Sequence, residues 1–210
     1  VTLEPCNHYG QTPPCTKEII KNKIDEVIYS IEDIDKKVKG KSFKIFKSNY
    51  IIVKKNLLKN EISNFYAPYL FNRKNKIPYV TGKIAVSKNN LIYSKGTNRI
   101  TDIHSDKLTH YLRYKNDSLM ITYKTVNMDN PKLNCRIEGL NKFSPKRIIL
   151  DNMLDMNTNS YIFRTANKVN TIIFYKKAER NKISIFKKKG IQLIKSNLLK
   201  NGNFDIKVIL

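Results

Sequence analysis

Arg147-Ile148-Ile149-Leu150-Asp151 and Thr171-Ile172-Ile173-Phe174-Tyr175 set the fold class of this chain. Side chains along a strand point alternately to opposite faces, so a strand wetted on one side alternates apolar with polar residues. A short unbroken apolar run instead suits a strand covered on both faces, as in a parallel sheet flanked by helices. Leu119-Met120-Ile121 before these runs and Ile191-Gln192-Leu193-Ile194 after them have the same character, and Ser105–Arg113 reads as a helix. The pattern predicts an α/β fold.

Towards the N-terminus the rhythm changes. Tyr79–Ser87 reads as a strand, as do Val27–Ile31 and Tyr50–Val53. Residues 16–23 read as a helix with Thr16 as its N-cap. Leu58, Ile62, Phe65, Tyr66 and Tyr69 fall at helical spacing within Leu57–Phe71, whereas the polar stretch Asp33–Ser42, with Gly40, reads as a loop. Asn72-Arg73-Lys74-Asn75-Lys76, ahead of Pro78, is the best linker, which divides the chain into residues 1–72 and 76–210. The chain opens on Val1 without Met, and its last apolar residues stop at Leu210 without a cap, so it is expected to be a piece of a longer protein.

The 210 residues carry 40 Lys and Arg against 17 Asp and Glu, a formal charge of +23. Such an excess raises the question of a nucleic-acid partner. Only seven of the 40 are Arg, however, and the Lys are scattered, whereas nucleic-acid sites favour local patches and the planar Arg fork. Composition bias, with Asn and Ile also abundant, is the expected origin. No apolar run approaches the roughly 18 residues of a membrane span, and no signal peptide is visible. A cytoplasmic protein is the default expectation, with no membrane partner and homo-oligomerisation left open.

Three cysteines, an odd and low number, argue against a disulfide framework. Two of them bound the most informative loop, Glu4-Pro5-Cys6-Asn7-His8-Tyr9-Gly10-Gln11-Thr12-Pro13-Pro14-Cys15. Zinc takes thiolate and imidazole ligands in a tetrahedron, and prolines beside each cysteine stiffen its approach. Spacing alone leaves two unrelated buried cysteines as an open alternative.

The full loop resembles the zinc-deaminase signature, in which His-x-Glu is followed by Pro-Cys and a second Cys. Its longer Gly-x-Thr-Pro-Pro-Cys form is similar to the diaminohydroxyphosphoribosylaminopyrimidine deaminase of riboflavin synthesis. The likeness continues: Pro78-Tyr79-Val80-Thr81-Gly82-Lys83-Ile84-Ala85-Val86-Ser87, Thr97–Thr101, Leu112-Arg113, Thr125–Arg136 and Pro145–Asp151 resemble successive segments of that family's reductase domain. The resemblance implies the C-terminal part of a cytidine-deaminase-like domain followed by most of a dihydrofolate-reductase-like domain.

The resemblance also implies roles. Cys6 and Cys15 would be zinc ligands, with the third ligand and general base in a His-x-Glu upstream of Val1, so this piece alone is not expected to deaminate. His8 is expected in the pocket or the loop packing rather than on the metal. Thr97, Arg113, Leu133 and Arg136 would bind a phosphorylated pyrimidine substrate. Val86, Arg99, Thr125, Asp129 and Asn152 would contact NADPH. The implied activities are zinc-dependent hydrolytic deamination and NADPH-dependent reduction of the ribosyl group. Arg99 stands where the family usually has Trp, Tyr123-Lys124 precedes Thr125 where Gly is common, and the family's Glu-Gly-Gly motif is expected beyond Leu210. A zinc-dependent nucleic-acid deaminase of the tRNA-editing type is the alternative, favoured by charge and disfavoured by the long loop between the cysteines.

Overall fold

The computed structural model describes residues 1–92 and 100–210. The chain forms two compact units, Val1–Gly82 and Lys83–Leu210. Helix α1 (Cys15–Lys21), strand β1 (Glu26–Tyr29), helix α2 (Lys41–Ser48), strand β2 (Ile52–Lys55) and helices α3 (Lys59–Phe65) and α4 (Ala67–Asn75) make up the first. Strands β1 and β2 pair in parallel, Val27 opposite Val53, and α2 provides the crossover that a parallel pair requires. Val27, Tyr29, Phe46 and Ile51 form the buried core, with Ile19, Ile20 and Val53 packed on it. Leu3 adds a parallel bridge to Ile31.

Three local expectations need correction in this unit. Helix α1 starts at Cys15 with extended Pro14 as its N-cap, so Thr16 is not the cap; it is buried inside the first turn. The polar stretch expected as a loop ends in α2: Gly40, at φ +70°, is its N-cap, and Ser42 and Phe46, one turn apart, are both buried. The polar run read as a linker is the last turn of α4, which ends where Lys76 turns left-handed. Asn75 Nδ2 donates to the Phe71 carbonyl at 3.0 Å, which holds that turn despite its polar composition. The single helix expected over Leu57–Phe71 is two helices that meet at Tyr66, with Pro in the first turn of the second.

The second unit contains α5 (Ile103–Lys115), β3 (Ser118–Thr122), α6 (Tyr123–Asp129), β4 (Lys146–Leu150), α7 (Tyr161–Arg164), β5 (Thr171–Tyr175), α8 (Arg180–Lys188), β6 (Gln192–Lys195) and α9 (Ile206–Ile209). Its four strands form one parallel sheet in the order β3-β4-β5-β6, as expected for an α/β chain. Ile149 and Ile173, at the centre of the two apolar runs, are fully buried. Val126, Leu133, Leu154, Met156, Ile162, Phe163, Phe186 and Ile191 complete the core around them.

The segment Tyr79–Ser87, expected as a strand, is not one. An extended segment becomes a strand only where a neighbour completes its ladder. Here the Ser87 N–H is spent locally on the Leu91 carbonyl at 2.8 Å, and Leu91 N–H returns to Ser87 Oγ. Val80 and Ile84 are consequently exposed. The Asn89-Asn90 turn forms, with Asn90 at φ +62°, a conformation that Asn tolerates. Among the described residues no helix is long and apolar enough to cross a membrane.

Candidate functional site

In the first unit the loop Glu4–Cys15 folds back on itself. Thr16 N–H donates to the Cys6 carbonyl at 3.1 Å, which closes the loop at the base of α1. Cys6 Sγ and Cys15 Sγ stand 3.6 Å apart, and Cys15 N–H points at Cys6 Sγ at 3.4 Å. Both thiols are free, and a disulfide would hold the sulfurs at about 2.05 Å. Two Zn–S bonds of about 2.3 Å at a tetrahedral angle separate their sulfurs by about 3.8 Å, so the observed spacing fits a shared zinc ion. Burial and then the adjacent Cys6 sulfur raise the Cys15 thiol above its usual range. A divalent cation between the sulfurs would reverse that preference.

Two further observations bear on this loop. His8 Nδ1 and Asn7 Oδ1 are buried without a hydrogen-bond partner among the described residues. Such atoms are normally satisfied, so they are available to a bound group. Among the described residues no cluster of three or more His, Cys, Asp or Glu side chains could hold a metal ion. The two sulfurs therefore stand close enough to share an ion, but no third His, Cys, Asp or Glu joins them among the described residues.

Glu4, beside the first cysteine, is 3% exposed. Its Oε2 accepts Gly40 N–H at 3.0 Å and Asp33 N–H at 3.4 Å, and its Oε1 accepts Ser42 N–H at 3.2 Å. Ser42 Oγ donates to the Pro5 carbonyl. This carboxylate is a structural clamp that fixes the Pro5–Cys6 backbone against α2, with three backbone N–H groups committed to it.

In the second unit, the sequence-predicted substrate residues Arg113, Leu133 and Arg136 come together around the loop Pro131–Arg136. That loop has no regular secondary structure, so side chains must satisfy its backbone. Arg147 Nη2 donates to the Lys132 carbonyl at 3.0 Å, and Arg113 Nη1 to the Asn134 carbonyl at 3.1 Å. Cys135 N–H donates to Ser144 Oγ and Arg136 N–H to His110 Nδ1, each at 3.1 Å. Leu133, at φ +53°, is one of the non-glycine residues in the left-handed region. That conformation costs about 1–2 kcal/mol and persists only where the surroundings impose it.

The clamps sort the predicted residues. Leu133 faces the core and is 5% exposed, so its side chain anchors the loop and presents little to a ligand. The Arg136 side chain is exposed. Burial first, and then the nearby Arg136 charge, lower the pKa of Arg113. Like charges in one neighbourhood repel each other, a cost that a bound anion relieves.

The predicted cofactor residues sit elsewhere in the unit. Strands β3 and β4 are parallel, with Thr122 opposite Leu150. Thr125 follows the end of β3 and Asn152 the end of β4, so both lie at the carboxyl end of the sheet, where open α/β sheets take ligands. Thr125 and Asp129, one turn apart on α6, share a helix face. Thr125 Oγ1 lies 3.4 Å from Thr122 Oγ1. Asn152 accepts Lys176 and Lys177 N–H on its carbonyl, while its buried Oδ1 has no partner among the described residues. Val86 is exposed in the irregular segment before the Asn89-Asn90 turn. Thr97 and Arg99 lie outside the described residues.

Several residues that organise the site had no signal in the sequence. His110 stands one turn before Arg113 and reads as an ordinary helical residue. Asn127 and Asn130, on and just after α6, latch the loop after β4. Asn127 Nδ2 donates to the Asp155 carbonyl, its Oδ1 accepts Asn157 N–H, and Asn130 Oδ1 accepts Tyr161 N–H. Asp151 closes that loop by accepting Asp155 and Met156 N–H, each at 2.8 Å.

A parallel sheet, a side-chain-clamped loop that carries Arg136, and an unpartnered Asn152 Oδ1 at the carboxyl end of β4 define an α/β domain of the kind that takes ligands at its strand ends. The profile described as "RibD C-terminal domain" matches residues 78–210, more than half of the chain. The chain belongs to this family, which bears out the riboflavin-biosynthesis resemblance read from its motifs. The riboflavin biosynthesis protein RibD of Aquifex aeolicus is 32% identical over 212 residues, covering 100% of this chain and 57% of that protein. RibD of Bacillus amyloliquefaciens is 34% identical over 156 residues, covering 73% of this chain and 42% of that protein. The chain thus spans about half the length of these relatives. Among solved structures, Acinetobacter baumannii RibD superposes with a TM-score of 0.77 at 24% identity, covering 95% of this chain and 56% of that one. The diaminohydroxyphosphoribosylaminopyrimidine deaminase/5-amino-6-(5-phosphoribosylamino)uracil reductase of Thermotoga maritima gives 0.74 at 24%, covering 93% and 60%. At that identity the structural likeness speaks for the fold.

Proposed function

We propose that the second unit is the NADPH-dependent reductase of riboflavin biosynthesis, acting on 5-amino-6-(5-phosphoribosylamino)uracil. The observation that carries this reading is the convergence of Arg113 and Arg136, distant in sequence, on Asn134 and His110 within the stretch that matches the family. Their guanidinium groups bind the substrate phosphate and hold the ribosyl group in one orientation. Thr125, Asp129 and Asn152, with Val86 and Arg99, would hold the cofactor, and the unpartnered Asn152 Oδ1 offers it an acceptor. When bound, NADPH supplies the hydride that reduces the ribosyl group.

For the first unit we propose a part of the zinc deaminase that precedes this reductase. The 3.6 Å sulfur spacing supports it. Cys6 and Cys15 would hold zinc, which when bound lowers the pKa of a coordinated water. The stiff loop orients both sulfurs, and the same loop carries the unpartnered Asn7 Oδ1 and His8 Nδ1. The third ligand and the general base are not among the described residues, and Glu4 does not replace them.

The test incubates the protein with NADPH and 5-amino-6-(5-phosphoribosylamino)uracil, follows cofactor absorbance, and assays ammonia release from the diamino precursor in parallel. Cofactor oxidation that needs the phosphorylated substrate supports the reductase reading. Absence of oxidation in protein shown to be folded overturns it. No ammonia release is expected from this chain alone, and release would overturn the reading that its first unit lacks the third ligand and the general base.

A further inference from the structure

His110 lies on α5, is 8% exposed, and touches each of the elements that place the two arginines. Its Nδ1 is 3.1 Å from Arg136 N, 3.2 Å from the Asn134 carbonyl oxygen and 3.5 Å from Arg113 Nη1. One ring nitrogen cannot serve all three alike. Arg136 N–H is a donor and can only be satisfied by a lone pair on Nδ1. The Asn134 carbonyl already accepts Arg113 Nη1 at 3.1 Å and needs no proton from the imidazole. The consistent arrangement is a neutral ring with its proton on Nε2 and its Nδ1 lone pair aimed at the Arg136 backbone.

From this geometry we infer that His110 is a positioning residue for the anion site: its Nδ1 lone pair fixes the Arg136 backbone and so sets the separation of the Arg113 and Arg136 guanidinium groups. The inference rests on the proposal that these arginines bind the phosphate of a phosphorylated ligand. It goes further by assigning a third residue, which would touch no ligand, to the spacing on which two-armed recognition depends.

The local electrostatics agree. Burial, then Arg113, then Arg136 lower the pKa of the His110 ring, so the lone pair is available at neutral pH. The backbone reasoning agrees too. Leu133 holds an unfavourable φ, and Arg136 is the last residue of the clamped loop, so its main chain would otherwise be free to relax. A protonated ring would turn Nδ1–H towards the Asn134 carbonyl, compete with Arg113 and release Arg136.

The test uses His110→Phe, which keeps an aromatic ring without an acceptor, and His110→Gln, whose Oε1 can accept Arg136 N–H. Ribose 5-phosphate is the probe and unphosphorylated ribose the control, with binding read by calorimetry and unfolding temperature measured beside it. Wild type is expected to bind the phosphorylated sugar only. H110F should bind it about three- to tenfold more weakly, the effect of one lost hydrogen bond, and H110Q should recover most of the loss. Equal affinity of H110F and wild type, or equal loss in H110F and H110Q, overturns the inference. Arg136→Met separates the two readings. If R136M loses affinity while H110F does not, the anion site stands and the role of His110 falls. If R136M binds like wild type, the anion site itself falls. Independently of any ligand, ring nitrogen NMR should show Nδ1 unprotonated and Nε2 protonated; a proton on Nδ1 at neutral pH would also overturn the inference.

Discussion

Glu4 Oε1 accepts the backbone N–H of Ser42 at 3.2 Å, a contact between residues 38 positions apart. Through it the residue before Pro5-Cys6 is bonded to the first turn of α2, and Ser42 Oγ bonds back to the Pro5 carbonyl. The cysteine loop is therefore held by the crossover helix as well as by its own prolines. Glu4→Ala should leave three buried or half-buried N–H groups without an acceptor, and destabilise the first unit by about 3 kcal/mol or more. Urea unfolding followed by a probe in that unit measures the loss. Glu4→Gln keeps one acceptor oxygen and should cost less; equal costs would mean that the retained oxygen contributes nothing and that the clamp needs the whole carboxylate.

The two sulfurs make a spectroscopic prediction. Cobalt substituted for zinc should give a thiolate-to-metal charge-transfer band, and Cys6→Ser or Cys15→Ser should each remove much of its intensity and weaken metal retention. Cys135→Ser should leave the band intact, because that thiol is fully buried in the other unit. A band unaffected by either of the first two variants would dissociate the loop from metal binding.

Arg147 is a buried cation at 1% exposure, donating to Thr165 Oγ1 at 2.8 Å and the Lys132 carbonyl at 3.0 Å, with its guanidinium 5.6 Å from the centre of the Tyr161 ring. Arg147→Met should free the loop that carries Leu133 and Arg136, costing about 2–4 kcal/mol in thermal or urea unfolding. Arg147→Lys, with a single point donor, should recover only part of that. Full recovery would show that charge alone, and not the forked geometry, holds the loop.

The folded-state pKa of His110 is lowered, so the unfolded chain takes up its proton first as the pH falls. The contribution of the neutral ring is then complete above the unfolded value near 6.5 and is lost as the pH falls towards the folded value. Wild type should lose stability relative to H110Q as the pH falls below about 6.5. Parallel stability curves for the two proteins over that window would contradict the assignment of a buried neutral imidazole.

Arg113→Lys should reduce binding of the phosphorylated substrate about tenfold or more, and show this in KM more than in the turnover rate. The Arg113 guanidinium donates to the Asn134 carbonyl at 3.1 Å and would also have to reach the substrate phosphate. A lysine cannot do both with one head group. An unchanged KM would remove Arg113 from the substrate site.

Much of this could be read from the sequence by itself, because it depends on local physics. Unbroken apolar runs such as Arg147–Asp151 and Thr171–Tyr175 have nowhere to go but a sheet covered on both faces, and they became β4 and β5 of a parallel sheet. Pro-Cys and Pro-Pro-Cys stiffen their own backbone, but spacing alone leaves Cys6 and Cys15 open as unrelated cysteines, and only the resemblance of the whole loop to a family motif implies that they act together. Other features were settled only by tertiary structure, because they depend on partners far along the chain. Tyr79–Ser87 alternates like a strand, yet its Ser87 N–H closes a local turn. Asp33–Ser42 reads as a polar loop with Gly40, yet its end begins α2, where Ser42 and then Phe46 are buried once β1 and β2 need a crossover between them. Glu4 became a clamp only because Asp33, Gly40 and Ser42 offered their N–H groups to it. His110 acquired its place because the Pro131–Arg136 loop has no ladder of its own and must borrow side chains for its backbone, a demand that periodicity and composition do not register.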